Sequence, residues 1–421
     1  MSEAQTFLQL CDLADITMGQ SPDSANCNTD ERGLPFLQGC AEFGKQSPST
    51  EVYCHQPLRA SKPDSILMSV RAPVGKLNWG EQGYCLGRGL GAIKAKLGIS
   101  DTRFLGYSIE QNVAFLHRRS QGSTFSAIGT NDIKIFPIPK VPYEKQKKIS
   151  FILGTIDLAI EKTEALIEKY QQIKAGLMHN LFTRGISADG QLRPPREQAP
   201  ELYQHTPIGW IPKEWDVKPL ATLTSKIVDG VHHTPRYVEH GVPFVTVKNL
   251  TGSETIDFTS LNYIDEKTHR DCYSRADPKP GDVLVTKDGT LGVCRIVREG
   301  MPEFSIFVSV ALLRVTDELT SEWLHFFFES GEYLKQLGHL SSGTGLKHIH
   351  LEHFRKFQIA LPERCEQKWI NDKVKIAEEK IGSEQKLLSK LIKQKLGLMH
   401  DLLTGKVRVK LDSQTSEMAG G

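Results

Sequence analysis

The phrase GLMHNLFTRG at 176–185 returns as GLMHDLLTGK at 397–406, 221 residues later in a chain of 421. A chain that writes so uncommon a phrase twice repeats a folding unit, and the repeat constrains the fold before any local pattern does. At the same offset EKQKKI (144–149) faces CEQKWI (365–370), and FPIP (136–139) faces the FQIALP region (357–362). Gly122, Ser123 and Ile128 likewise meet Gly343, Thr344 and Ile349. Further upstream, KPDSILMSVRAPVGK (62–76) matches KPGDVLVTKDGTLGV (279–293) at 217, and GLPFL (33–37) matches GVPFV (241–245) at 208. The shrinking offset is what unequal loops produce. Two copies of one unit of about 200 residues follow, the size of an ordinary domain. The Pro-, Gln- and charge-rich stretch SADGQLRPPREQAPELYQHTP (187–207) reads as the linker between them.

Each copy changes texture once. Its first part is short apolar runs such as SILMSV and DVLVT between Gly and Pro, which predict strands and turns with a few short helices. Its second part has helical period. Ile149, Ile156, Thr163, Tyr170 and Leu177 recur every seven residues after PIPKVP, and Ile370, Ala377, Leu391 and Leu398 mark the second copy after ALP. Each helix of about 40 residues is roughly 60 Å long at about 1.5 Å per residue. A single apolar stripe needs a partner of similar length, and the other copy supplies one.

The expected fold class is therefore α+β, with two α/β domains, each followed by a long helix, the two helices forming an antiparallel coiled coil within a pseudo-twofold repeat. The expected boundaries are 1–142 and 208–362 for the domains, 143–185 and 363–406 for the helices, 186–207 for the linker and 407–421 for a flexible tail. Leu177, Met178, Leu181 and Phe182, with Leu398, Met399, Leu402 and Leu403, widen the stripe beyond a two-helix seam. This excess predicts a contact with a further protein at the helix ends.

Several function classes are excluded. No apolar run approaches the roughly 18 residues of a membrane span, and MSEAQTFLQLCDLAD lacks the regions of a signal peptide, so a cytoplasmic protein is expected, without a membrane partner. Eight scattered cysteines form no CxxC pair, which predicts reduced thiols. A net charge of +2 confines any nucleic-acid surface to a local patch. There is no DPPY- or NPPF-like tetrapeptide, no FxGxG loop and no phosphate loop of the GxxxxGK[ST] type, and for the Pro-Asp pairs at 22–23 and 63–64 the candidate acidic-x-Lys partner, DIK at 132–134, lies in the turn leading to FPIP. HIHLEH (348–353) faces Ala127, Gly129 and Asp132 in the first copy, so hydrogen bonding suits His348 and His350 better than a metal, and no metal site is expected.

Taken together, the paired helices opening with QKKI or QKWI and closing with GLMH, the PIGWIPKEWDVKPL lead-in at 207–220 and TEAL at 163–166 resemble the specificity subunit of Type I restriction-modification systems. The resemblance covers nearly the whole chain. It implies a non-catalytic subunit whose two target recognition domains each contact one half of a split, asymmetric double-stranded DNA site. It further implies that modification (methyltransferase) and restriction (ATP-dependent endonuclease) subunits dock on the helices. S-adenosylmethionine, ATP and Mg would then be cofactors of those partners, and this chain would carry none. A rod of roughly 60 Å can span the turn of about 34 Å that separates half-sites.

Direct readout needs Arg, Lys, Asn, Gln or Asp on loops, and phosphate contacts need Lys, Arg, Ser or Thr. In the first copy such residues beside Gly-rich turns are Gln38, Lys45, Arg71, Lys76, Arg88, Ser123 and Thr124. In the second they are Lys248, Asn249, Lys287, Asp288, Thr290, Thr344, Lys347 and His348. Arg71 against Asp288 at matched positions is what different half-sites require, since guanidinium favours guanine and carboxylate accepts from cytosine. The competing reading is a non-catalytic protein-interaction scaffold, which would carry apolar turns where SVRAPVGK and TVKNLTGSE stand.

Overall fold

Alternate residues of the strand Ser65–Ser69 enter different cores. Ile66 and Met68 pack with Ile93, Phe104 and Leu105, whereas Leu67 packs with Leu37, Tyr84 and Leu90. A strand covered on both faces reads as a continuous apolar run, which is why SILM does not alternate. The computed structural model describes residues 6–120, 127–340 and 347–411. They form two compact units: 1–165 with 385–421, and 166–384.

In the first unit Ser65–Ser69 lies inside an antiparallel sheet ordered Ala14–Met18, Leu90–Ala95, Ser65–Ser69, Leu77–Gly80. A smaller sheet orders Cys27–Asn28, Tyr53–Cys54, Leu34–Leu37 and Cys85–Leu86, its last pairing parallel. The helix Thr102–Gln111 is capped by Asp101, whose carboxylate accepts from Phe104 N at 2.9 Å.

The second unit has a sheet ordered Thr224–Asp229, Val310–Val315, Val283–Thr286, Cys294–Ile296. Val283 and Val285 face one core and Leu284 the other. A three-stranded sheet, Asn262–Ile264, Val242–Val245, Ser305–Ile306, again ends in a parallel pairing, and Thr320 caps Ser321–Glu329 through Trp323 N at 3.2 Å.

The long helices run Tyr143–Arg184 and Arg364–Leu403. Gln146 and Gln367, the glutamines of QKKI and QKWI, are both buried. Gln146 accepts from Ser100 Oγ at 2.8 Å and Asp101 N at 3.0 Å and donates to Val141 O. Gln367 accepts from Thr320 N at 2.8 Å and donates to Glu318 O and Pro362 O. Each therefore ties the start of a long helix to the loop that caps the domain helix.

The linker expectation needs correction. Within 187–207, Arg193, Ala199 and Tyr203 are buried, and Tyr203–Thr206 pairs with Gly209–Pro212 as a hairpin. The Arg193 guanidinium reaches Glu366 at 2.5 Å and 3.1 Å, and Glu366 also accepts from Trp215 Nε1 and the Ile186 amide. The segment is polar because it carries one half of a buried ion pair.

The helix-end expectation needs correction as well. Met178 and Leu181 are buried in the second unit's core with Trp215 and Trp323, and Phe182 stacks on Trp323 with ring centres 4.3 Å apart. Met399, Leu402 and Leu403 are buried in the first unit's core with Leu13, Phe136 and Leu153. Leu177 and Leu398 are half-buried against the same two cores. The wide apolar stripe is thus covered by this chain itself, and GLMH recurs because each domain closes its core with the end of a long helix.

Candidate nucleic-acid interface

In the first unit the strand Ser65–Ser69 delivers the chain to a turn at Arg71–Gly75. Ser69 Oγ donates to Pro73 O at 2.5 Å and accepts from Lys76 N at 2.9 Å, closing the turn from inside. Gly75 adopts φ +83°, and a Cβ there would come within 2.5 Å of Val113, so only glycine lets the turn lie on the adjacent helix. The second unit builds the same device: Val293 N donates to Thr286 Oγ1 at 2.9 Å, Thr286 donates to Thr290 O, and Gly292 at φ +79° faces the Tyr333 ring.

Backbone hydrogen bonds gather neighbouring turns at this end of each sheet. Val70 N donates to Gly89 O at 2.9 Å and Ile128 N to Val70 O at 3.0 Å. Lys287 N donates to Ser309 O at 2.9 Å and Ile349 N to Lys287 O at 2.8 Å. Arg71 bridges to Ala127 and Asp288 to His348. Ser21 Oγ lies 3.4 Å from both Gln38 Nε2 and Arg88 N, so Gln38, Arg71 and Arg88 belong to one cluster. Arg71, Lys76 and Arg88 are exposed, and their side chains make no hydrogen bond or ion pair among the described residues. Lys248 and Lys347 stand likewise in the second unit. Unpaired cations at one end of a domain suit a polyanion. Lys45 is drawn away, its Nζ 3.9 Å from Glu164 on the long helix.

Three positions differ from the sequence reading. Asn249 is buried, with Oδ1 accepting from Thr246 and Nδ2 donating to Asp257 O and Ser260 O, so its amide holds a loop and is not available to a base. Lys287 is only 3% exposed, with Nζ 3.4 Å from Asp229 Oδ2, and cannot reach DNA. Asp288 is not a free acceptor: it hydrogen-bonds His348 Nδ1 and lies 3.8 Å from Lys287 Nζ. Thr290 is exposed in its turn. Ser123, Thr124 and Thr344 lie outside the described residues.

Sequence reasoning missed Asp229, His232 and Arg275. The buried Asp229 carboxylate gathers Arg275, His232 at 3.3 Å and Lys287. Burial opposes its charge, but Arg275, His232 and Lys287 outweigh burial and hold its pKa below the usual carboxylate value. The signal was VDGVHHTP at 228–235, a polar run where the first copy has apolar Met18.

HIHLEH does not gather as a metal site. His350 starts the helix Leu351–Lys356, and the rings of His348 and His350 sit 4.5 Å apart. Among the described residues, His325, Glu329 and Glu378 come close enough to share an ion, but Lys174 Nζ already lies 3.1 Å from Glu329 and 2.7 Å from Glu378. A lysine ammonium fills the cation position.

Residues 2–172 match the family described as Type I restriction modification DNA specificity domain. Over this part of its length the chain is similar to Type I specificity domains. It is 38% identical over 171 residues to the specificity subunit assigned to the MjaX enzyme of Methanocaldococcus jannaschii, a match that spans 41% of this chain and 40% of that subunit. The MjaVIII specificity subunit of the same organism is 24% identical over 356 residues, covering 82% of this chain and 80% of that one. The crystal structure of the Type I S subunit from M. genitalium shares the mixed helix and sheet fold, with a TM-score of 0.60 at 15% identity, over 97% of this chain and 98% of that one. No helix among the described residues is long and apolar enough to cross a membrane.

Proposed function

We propose that this chain is a Type I specificity subunit, a non-catalytic reader of a split, asymmetric double-stranded DNA site, one half-site to each unit. One observation carries the reading. The same strand order in both units delivers a turn to the same place, flanked by exposed unpaired cations, but with Arg71 on one turn and the Asp288–His348 pair on the other. Cations position a domain on phosphates, while side chains that differ at matched positions select different bases. Two unlike readers in one chain require two unlike half-sites.

The long helices act as an antiparallel pair. In the second unit Lys380 stacks on Tyr170 and Lys174 bonds Glu378, so numbers fall on one helix as they rise on the other. In the first unit Lys395 lies 3.0 Å from Asp157. Docking of modification and restriction subunits moves from the buried stripe to residues that remain exposed: Phe151 and Leu158 in the first unit, Trp369 and Ile376 in the second. Each pair is seven residues apart, hence on one helix face. Methylation from S-adenosylmethionine, and the work done with ATP and Mg, belong to those partners in the cytoplasm.

The test is to co-express the chain with a modification subunit encoded beside it and to map methylated adenines across the host genome by long-read sequencing. One bipartite motif with a fixed unspecified spacer is expected. A stable complex that leaves no such motif would favour a protein-interaction scaffold instead.

A further inference from the structure

Core positions that the first unit fills with hydrophobic side chains carry buried charge in the second. Met18 pairs with Gly91 at the end of its strand, and Asp229 pairs with Ala311 at the matching place. Val70 follows Ser69 where Lys287 follows Thr286. Apolar side chains therefore serve the fold at both positions, and a buried ion pair in place of well-packed hydrophobic residues is often no gain in stability. The second unit keeps the charges for something other than its core.

The charges form a chain that leads outward. Asp229, held by Arg275 and His232, fixes Lys287 Nζ at 3.4 Å. Lys287 in turn lies 3.8 Å from Asp288 Oδ2, which leaves Asp288 Oδ1 to bond His348 Nδ1. With Nδ1 turned to a carboxylate, the hydrogen of neutral imidazole is assigned to that nitrogen, and Nε2 is left as an acceptor. His348 is part-exposed, and beside it lie the unpaired Lys347 and the Asp288 turn. Among the described residues the first unit has no such relay, and Arg71 stands without a side-chain partner.

We propose that His348 is the base-contacting group of the second unit, accepting through Nε2 from an exocyclic amino group in the major groove, and that Asp288, Lys287 and Asp229 are its positioning residues. The inference rests on the DNA-reading function and assigns the discriminating group of one half-site. Adenine and cytosine are the bases that offer such a donor. The two units then differ in kind: the first presents a guanidinium that donates, the second an oriented imidazole that accepts.

The experiment uses the complex with the modification subunit and duplexes in which each base pair of the mapped motif is varied in turn. His348→Ala should reduce discrimination at one base pair of one half-site by about 10- to 100-fold, leaving the other half-site and the salt slope unchanged. Arg71→Ala should act on the opposite half-site. The double variant Asp229→Met/Lys287→Val, which installs the first unit's residues, should remain folded by thermal denaturation yet lose the same discrimination as His348→Ala. Adding His348→Ala to it should produce no further loss. Should the double variant fail to fold, Asp288→Ala at the part-exposed turn carries the same test. Unchanged discrimination in His348→Ala, or uniform weakening across all sequences, overturns the proposal. A wild-type complex with no bipartite preference overturns the DNA-reading function itself, a distinct result.

Discussion

Glu366→Ala tests whether the buried network at 186–215 anchors the second long helix. The carboxylate accepts from Arg193 Nη1 at 2.5 Å, Arg193 Nη2 at 3.1 Å, Trp215 Nε1 at 3.0 Å and the Ile186 amide at 2.6 Å. The Arg193 and Glu366 side chains are 6% and 7% exposed. Burial works against the Arg193 charge, but Glu366 and Glu214 outweigh it and push the guanidinium pKa up. Removing one partner of a buried pair costs about 3–5 kcal/mol, because the other charge stays behind. Glu214 still touches Arg193 but is itself mostly exposed, which lowers the figure, while the stranded indole and amide donors raise it again. About 4 kcal/mol is expected for the second unit. With a urea slope of about 2–3 kcal/mol per M, its unfolding midpoint should fall by roughly 1.3–2 M. Urea titration followed by tryptophan fluorescence and by circular dichroism should show one transition moving and the first unit's transition staying. Glu366→Gln should lose about half as much, since it keeps volume and one acceptor oxygen. The paired change Arg193→Met/Glu366→Leu should cost less than Glu366→Ala alone, because no orphan charge remains. A shift below about 0.5 M, or equal movement of both transitions, would refute the argument.

Trp369→Asp with Ile376→Asp, both at exposed positions, should leave the thermal midpoint within a few degrees of the parent and weaken binding of the modification subunit at least tenfold by calorimetry. Unchanged affinity would remove that face from the docking surface. Lys174→Met addresses pH. Burial of Glu329 favours its neutral form, but His325 and Lys174 outweigh burial and lower its pKa to about 2. A carboxylate with a lowered folded pKa stabilises above its ordinary value of 4.5, and the contribution is lost as pH falls from there towards 2. Lys174→Met should therefore cost about 1–2 kcal/mol at pH 7, discounted for partial exposure of both glutamates, with the deficit shrinking below pH 4.5. A deficit that grows on acidification would contradict the assignment.

How much of this was legible depends on what a residue's neighbours in sequence can reveal. The buried strands and the long helices were legible because apolar runs and helical period survive in one dimension: SILMS and VLVT are fully buried strands in sheets of the same order. The role of GLMH was not, because an apolar stripe shows which face of a helix must be covered and not what covers it. Met178 and Met399 are covered by this chain's own domains. Asn249 and Lys287 misled for a related reason. Polar residues beside glycine turns are mostly exposed, and the acceptors that permit their burial, Ser260 O and Asp229, come from other stretches of chain.

The same limit bears on specificity. Apart from Arg71, the exposed cations of the candidate interface, Lys76, Arg88, Lys248 and Lys347, are interchangeable. Beside Arg71 against Asp288–His348, what separates the two units lies beneath them, Met18 against Asp229 and Val70 against Lys287. A buried charge can act at the surface only through a fixed chain of contacts, so its effect should be confined to the one side chain at the end of that chain. If recognition is set this way, exchanging only Lys76, Arg88, Lys248 and Lys347 between the units would transfer phosphate affinity without transferring base choice, whereas exchanging the buried pair together with Arg71 and the Asp288–His348 positions would transfer base choice.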